Sequence, residues 1–272
     1  MSEGTDYGSV DGLSVVLYDA VLRLKLTRAE KRNALDDSMM SGLIDALDRA
    51  GRDEAVRAVV LSGDGDHFCA GADIVARNAE SGPRPRAGSI QRRLPSQAHR
   101  LIPLVATVQV PIVCAAHGWV AGIGFQLALA ADFTVAAEGA RFWEPFVQRG
   151  FTPDSGATWL LPRLVGPARA RELLLLGREL SGAEAAAWGL VHRAVPAGDV
   201  AAEADALART LAAGPTVALG LTKWLLQAGT DASLDRHLRD EAFALELSSR
   251  SEDFREGLAA FVQKRPPEFK GR

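Results

Sequence analysis

Between Leu13 and Thr27 apolar and polar positions alternate, Leu22, Leu24 and Leu26 taking turns with Arg23 and Lys25. A period of two predicts a β-hairpin with one buried face. After the polar connection Arg28-Ala-Glu-Lys-Arg-Asn-Ala-Leu the period lengthens, and Met40, Leu43, Ile44 and Leu47 share one face of a helix expected over 37–51. Arg57–Ser62 reads as a strand, Gly63–Asp66 as a turn, and Phe68-Cys69-Ala70-Gly71-Ala72-Asp73-Ile74 as a bend of small residues entering a helix. Ile112–Ala116 is short and wholly apolar, which suits a buried strand; glycines at 118, 122 and 124 break it, and helix formers follow. A strand is expected at Phe133–Ala136 and an irregular passage from Phe142 to Gly156. Gly166-Pro167 opens a helix that Gly177 closes, and Ser181 with Glu184 forms a capping box. Past Pro196 the pattern is helical throughout, over about 199–213, 215–228, 231–248 and 251–264.

Strands alternating with helices up to about 195, then helices alone, predict an α/β core at 1–198 carrying a helical region at 199–272. From Gln109 to Ala131 no residue is formally charged, a length that matches the roughly 20 residues of a membrane span. His117, Gln126 and three glycines within that run favour buried core instead. The net charge of −3 gives no electrostatic footprint for nucleic acid. Cys69 and Cys114 sit in apolar surroundings and read as buried thiols of a reducing compartment. The polar start, Met1-Ser-Glu-Gly-Thr-Asp-Tyr, has no secretory or transit pattern, so a cytoplasmic protein is expected.

Two segments share one design, a strand followed by small residues and a helix start: Val59–Leu61 leading to Ala70-Gly71-Ala72-Asp73, and Val113–Ala115 leading to Gly122-Ile123-Gly124. If the two turns lie side by side, the N–H groups of Ala72 and Ile123 converge on one oxygen and make an oxyanion hole. No metal-ligand spacing joins His67, His99, His117, His192 and His237, and His117 reads as a hydrogen-bonded core residue. Neither a dinucleotide-binding glycine motif nor a phosphate-binding Walker loop is present. Arg84, Arg86, Arg92, Arg93 and Arg100 form a local basic cluster, either a solvated face or a contact for an anionic ligand.

Six stretches in order resemble the crotonase, or enoyl-CoA hydratase/isomerase, family: Arg28–Leu35, His67–Ile74, Ala116–Gly124, Pro153-Asp-Ser-Gly-Ala-Thr, Leu161–Gly166 and Phe254–Phe261. The resemblance implies a spiral of ββα units and C-terminal helices that build a homotrimer or a dimer of trimers. Acyl-CoA thioesters would be the substrates, with coenzyme A part of the substrate and no separate cofactor or metal. It further implies that the backbone N–H groups of Ala72 and Ile123 hold the thioester oxygen. Arg28, Ala29 and Lys31 would border the coenzyme, Lys264 would reach a phosphate, and Ala70, Asp73, Ile74, Gly122, Gln126 and Phe146 would line the substrate site.

The two glutamates that the family's hydratases use fall on Gln126 and Phe146 here, and neither side chain exchanges protons. Asp154 stands where resembling isomerases carry an aspartate that handles protons, and the motif leans toward the 1,2-epoxyphenylacetyl-CoA isomerase-like branch. Phe125, Trp143 and Phe146 are expected to give Asp154 apolar surroundings. Glu144 is a second carboxylate in the same bend and a further candidate. Double-bond or ring isomerisation is thus the leading expectation; the alternatives are an enoyl-CoA hydratase of β-oxidation-type catabolism and a non-catalytic acyl-CoA-binding subunit.

Overall fold

The alternating run at Leu13–Thr27 folds as predicted, as two paired strands whose period of two keeps Leu22, Leu24 and Leu26 on one buried face. In the computed structural model, which describes residues 4–73 and 86–272, a short β1 (Thr5–Asp6) precedes β2 (Leu13–Tyr18) and β3 (Val21–Leu26). Leu13 pairs with Leu26 and Tyr18 with Val21. Beyond β3 the sheet turns parallel, through β4 (Ala58–Gly63), β5 (Ile112–Ala116), β7 (Phe133–Ala137) and β10 (Arg193–Val195), in the order β1-β2-β3-β4-β5-β7-β10. A parallel sheet is covered on both faces, so its strands carry apolar runs and not alternation. Every residue of β5 is buried.

A second, smaller sheet joins β6 (Trp119–Ala121), β8 (Arg141–Trp143) and β9 (Leu180–Ser181). Cys69 adds a parallel bridge to Val120. Successive passes of the chain therefore give one long strand to the main sheet and one short strand or bridge to the small one: β4 with Cys69, β5 with β6, β7 with β8. That repetition is the spiral of ββα units. Sequence patterning misses β6, β8 and β10 because three residues carry no period, and Gly118 and Gly122 read as one long turn when they bracket a strand.

The helices fall close to their predicted bounds. The first, α1 (Asp37–Ala50), is capped by Asp36, whose side chain accepts the Met39 N–H, and it buries Met39, Met40, Leu43, Ile44 and Leu47. Short α2 (Ser89–Arg93) and α3 (Ala98–Thr107) follow, and wholly buried α4 (Ile123–Ala130) leaves the glycine run. Residues 157–175 are helical where only the half after Gly166 is expected. This α5 (Ala157–Leu175) kinks at Gly166, with φ 75° and ψ 166°, and its two prolines obscure its first half. The capping box of α6 (Gly182–Ala187) is complete, Ser181 and Glu184 each accepting from the other's backbone. The next helix, α7 (Val200–Ala212), lays Val200, Ala204, Ala208 and Ala212 toward β4, β5 and β7. Three more follow, α8 (Thr216–Ala228), α9 (Leu234–Ser248) and α10 (Glu252–Gln263). Among the described residues no helix is long and apolar enough to cross a membrane.

One buried ion pair fastens α8 to the core. The Lys223 ammonium donates to Asp132 Oδ2 at 2.7 Å and to the Val105 carbonyl at 3.1 Å, while Asp132 also accepts the Ile112 N–H at 2.7 Å. Burial pushes the Asp132 carboxyl up and the Lys223 ammonium down, and the opposite charge of each partner counteracts the shift of the other. Removing one member of such a pair strands the other charge at a cost of about 3–5 kcal/mol. Lys223→Met is therefore expected to lower the melting temperature by roughly 5–10 °C. Adding Asp132→Asn should recover a large share, and thermal unfolding of the two variants checks both outcomes.

Candidate active site

The two small-residue turns lie against each other. Leu35 donates to the Gly71 carbonyl at 2.8 Å and accepts the Asp73 N–H at 2.9 Å, forming a parallel bridge opposite Ala72. Such a bridge uses the amide groups on either side of Ala72 and turns Ala72's own N–H to the opposite side. Cys69 ties this turn to β6, donating to the Trp119 carbonyl at 3.0 Å and accepting from Ala121 at 2.9 Å. Gly122 donates to the Trp143 carbonyl at 3.0 Å, and α4 starts at the next residue, so the Ile123 N–H is among the first-turn donors that no helical carbonyl reaches.

Glycine is required where the turns meet. Gly71 has φ 109° and Gly122 φ 52°, and a Cβ on Gly122 would stand 3.6 Å from the Gly71 Cα. A Cβ on Gly124 would lie 2.6 Å from the Cys69 carbonyl oxygen, so the first turn of α4 rests directly on the neighbouring strand. Burial pushes the Cys69 thiol up to about 12, which keeps it a neutral packing group and not a nucleophile.

Behind Ala72, Asp73 is buried and meets the Arg28 guanidinium at 3.1 Å. Arg28 also binds Asp36 Oδ2 and the Ala34 carbonyl, both at 3.0 Å, so its side chain clamps the Ala72 turn to the cap of α1. That bidentate role is invisible in the sequence, which points to Arg28 only as a coenzyme neighbour. Ala29 and Lys31 are exposed beside it in one helical turn, and the basic-cluster member Arg100 pairs with Asp48. Ala70 donates to the Arg32 carbonyl. Ile74 and Arg84 lie outside the described residues. Lys264 stands at the exposed left-handed cap of α10, and among the described residues no hydrogen bond or ion pair ties it to the turns.

Gln126 and Glu144 form a pair inside the protein. The Gln126 amide Nε2 donates to Glu144 Oε1, with both residues 1% exposed or less. Burial raises the Glu144 carboxyl well above the ordinary glutamate value; the Gln126 hydrogen bond opposes the rise and the negative charge of Asp154 adds to it. Burial of the pair therefore favours the protonated form of Glu144. Asp154 lies in the turn before α5, half-buried, where its Oδ1 accepts from the Ser155 hydroxyl at 2.8 Å. Ser155, at φ 54°, is itself buried.

The expected aromatic surroundings are distributed differently. Phe125 packs edge-on against Phe142 in the core, and Trp143 tilts against Trp119 while donating to the Gly177 carbonyl. Phe146 is buried against Phe151. Flanking the Asp154 turn is instead a cavity of about 430 Å³, lined by Ile102 and Ala106 of α3, Ser155, Gly156, Leu160 and, from α8, Gln227. It is overwhelmingly apolar, and no signal in the sequence pairs α3 with the start of α5. His117 bonds the Gly65 carbonyl at 2.9 Å, in keeping with a structural histidine.

A family model described as enoyl-CoA hydratase/isomerase matches residues 17–272. The 1,2-epoxyphenylacetyl-CoA isomerase of Escherichia coli is 41% identical over 254 residues, covering 93% of this chain and 95% of its own length. The 2,3-dehydroadipyl-CoA hydratase of the same organism is 33% identical over 252 residues, covering 93% and 96%. A solved enoyl-CoA hydratase from Bacillus anthracis superposes with a TM-score of 0.89 at 31% identity, covering 96% of this chain and all of that one. Matches of this extent, over a spiral whose two glycine turns abut, leave one conclusion: the chain belongs to the enoyl-CoA hydratase/isomerase family.

Proposed function

We propose that this protein is an enoyl-CoA isomerase, moving a double bond or opening a ring next to an acyl-CoA thioester. The reading is carried by the abutting Gly71 and Gly122 turns, which leave the N–H groups of Ala72 and Ile123 without backbone partners among the described residues. Two such donors, at the buried start of α4, hold the thioester oxygen as negative charge develops on it. Asp154 removes a proton from the acyl chain, and the electron pair moves into the thioester as an enolate. Return of a proton at another carbon completes the shift. Arg28, Ala29 and Lys31 take the coenzyme, Lys264 takes a phosphate, and Ala70, Asp73, Gly122 and Phe146 frame the thioester. Isomerisation is favoured over hydration because Gln126 and Phe146 occupy the two hydratase glutamate positions, leaving no pair to activate water there.

The test is turnover of a 3-enoyl-CoA by the native protein and by Asp154→Asn. Loss of a positioned general base is expected to slow isomerisation by about 10²–10⁴-fold while saturated acyl-CoA still binds. Rapid 3-hydroxyacyl-CoA formation, indifferent to the substitution, would transfer the assignment to hydratase. Binding with no turnover by the native protein would make it a non-catalytic acyl-CoA-binding subunit.

The C-terminal helices expose Leu234, Phe243, Leu245, Phe261 and Val262, with Phe261 84% accessible in the isolated chain. Unpartnered apolar surface of that kind marks an interface, and we assign it to self-association as a homotrimer or a dimer of trimers. Light scattering on a sizing column should give three or six times the 28.9 kDa chain mass; a monomer would overturn the assignment.

A further inference from the structure

Two side-chain atoms next to the Gly122 turn have no hydrogen-bond partner among the described residues: Glu144 Oε2 and Gln126 Oε1, both fully buried. An unsatisfied buried polar atom costs about 1–3 kcal/mol, and native proteins retain few of them without a use. Their position suggests the use. Gln126 is one helical turn beyond Ile123 on the same face of α4. Glu144 follows Trp143, whose carbonyl accepts the Gly122 N–H at 3.0 Å. The pair is therefore built into the walls of the turn that offers the Ile123 amide.

The orientation of the pair is also informative. Gln126 Nε2 donates to Glu144 Oε1, so Oε1 is the accepting end of the carboxyl, and Oε2, with no hydrogen-bond partner among the described residues, is the end left to hold a proton when the group is protonated. Asp154, in a turn that borders the apolar cavity, has the opposite setting: half-buried and bonded only by the Ser155 hydroxyl among the described residues. Two carboxyl groups in such different surroundings, one sealed in the interior and one half-buried in a turn, are suited to different parts in a proton transfer.

We propose that Glu144, oriented by Gln126, is a second catalytic acid of this site, delivering the proton that completes the isomerisation which Asp154 begins. The inference rests on the isomerase reading and replaces a single shuttling carboxylate by two. In the first step Asp154 takes the proton from one carbon of the acyl chain; that C–H bond breaks and its electron pair enters the enolate. In the second the enolate electrons form a new C–H bond with the proton of Glu144, which is left as carboxylate. The proton on Asp154 then passes to Glu144, directly or through water, and both groups return to their starting states. Nothing is oxidised or consumed. Gln126 is a positioning residue in this scheme.

The experiment follows the hydrogen itself. A 3-enoyl-CoA deuterated at the carbon that loses its proton is mixed with unlabelled substrate and turned over by the native protein. Two carboxyls predict that most product molecules no longer hold the deuteron they brought, because their new hydrogen came from Glu144. Glu144→Gln, nearly isosteric and checked by its melting temperature, should lose about 10²–10³-fold in turnover with saturated acyl-CoA affinity unchanged. Its residual product should keep the deuteron within the molecule. If the native protein retains the deuteron, the proposal is overturned whether or not the variant folds, while the Asp154 reading stands. Turnover by Glu144→Gln within about threefold of native, with the same label distribution, would overturn it equally. Native protein that moves no double bond would overturn both readings.

Discussion

The contact on which the rest of the structure depends is one between backbones, not side chains: the Gly71 turn resting against the Gly122 turn. A side chain at either position would face a left-handed backbone. At Gly124 it would meet the Cys69 main chain at 2.6 Å. The approach is possible only because the chain is glycine and alanine on both sides, and it is held by strand-type hydrogen bonds at Leu35 and Cys69. The bonds at Leu35 use the neighbours of Ala72 and spare its own amide, and Ile123 opens a helix whose first-turn donors no helical carbonyl reaches. Two donors without backbone partners among the described residues thus follow from bridge register at one turn and from a helix start at the other.

Around that contact the basic side chains of Arg28 and Lys223 are both tied down. Arg28 spans Asp36 and Asp73, joining the cap of α1 to the Ala72 turn. Lys223 joins α8 to the ends of α3 and β5 through Asp132 and two carbonyls. A charge in such surroundings is tolerated when its hydrogen bonds are complete. Glu144 shows the other solution, since burial without a cation beside it favours the neutral acid.

Much of this was legible in the residue pattern. The hairpin, α1, β4, β5, β7 and the C-terminal helices announce themselves by period, because a half-buried strand or helix repeats its apolar positions over several turns. The two glycine turns were legible too, since glycine and alanine at 70–72 and 118–124 have no reason to cluster unless main chains approach. What stayed hidden was everything that depends on three-residue strands or on partners far apart in sequence. β6 and β8 are too short for a period. The Arg28–Asp73 clamp spans 45 positions and the Gln126–Glu144 pair 18, and neither spacing signals proximity. Aromatic residues near Asp154 in sequence misled for the same reason: Phe125 and Trp143 turn to Phe142 and Trp119, and the apolar cavity comes from α3 and the start of α5.

The division of labour between backbone and side chain explains how one family holds isomerases and hydratases on a single scaffold. Donors supplied by the main chain depend on glycine turns and bridge register, so they persist through any exchange of side chains that leaves the turns intact. Proton-transfer groups have no such protection. In this chain the positions of the hydratase glutamates are Gln126 and Phe146, and the carboxyl groups lie at 144 and 154 instead. A carboxyl two positions earlier in the bend, at Glu144, is 1% exposed and meets Gln126. The same backbone cradle then meets, on the reading proposed above, an acid in place of a water-activating base. On the proposed reading, reaction type is decided by which wall of that bend carries the proton, while the cradle itself decides only that the substrate is a thioester.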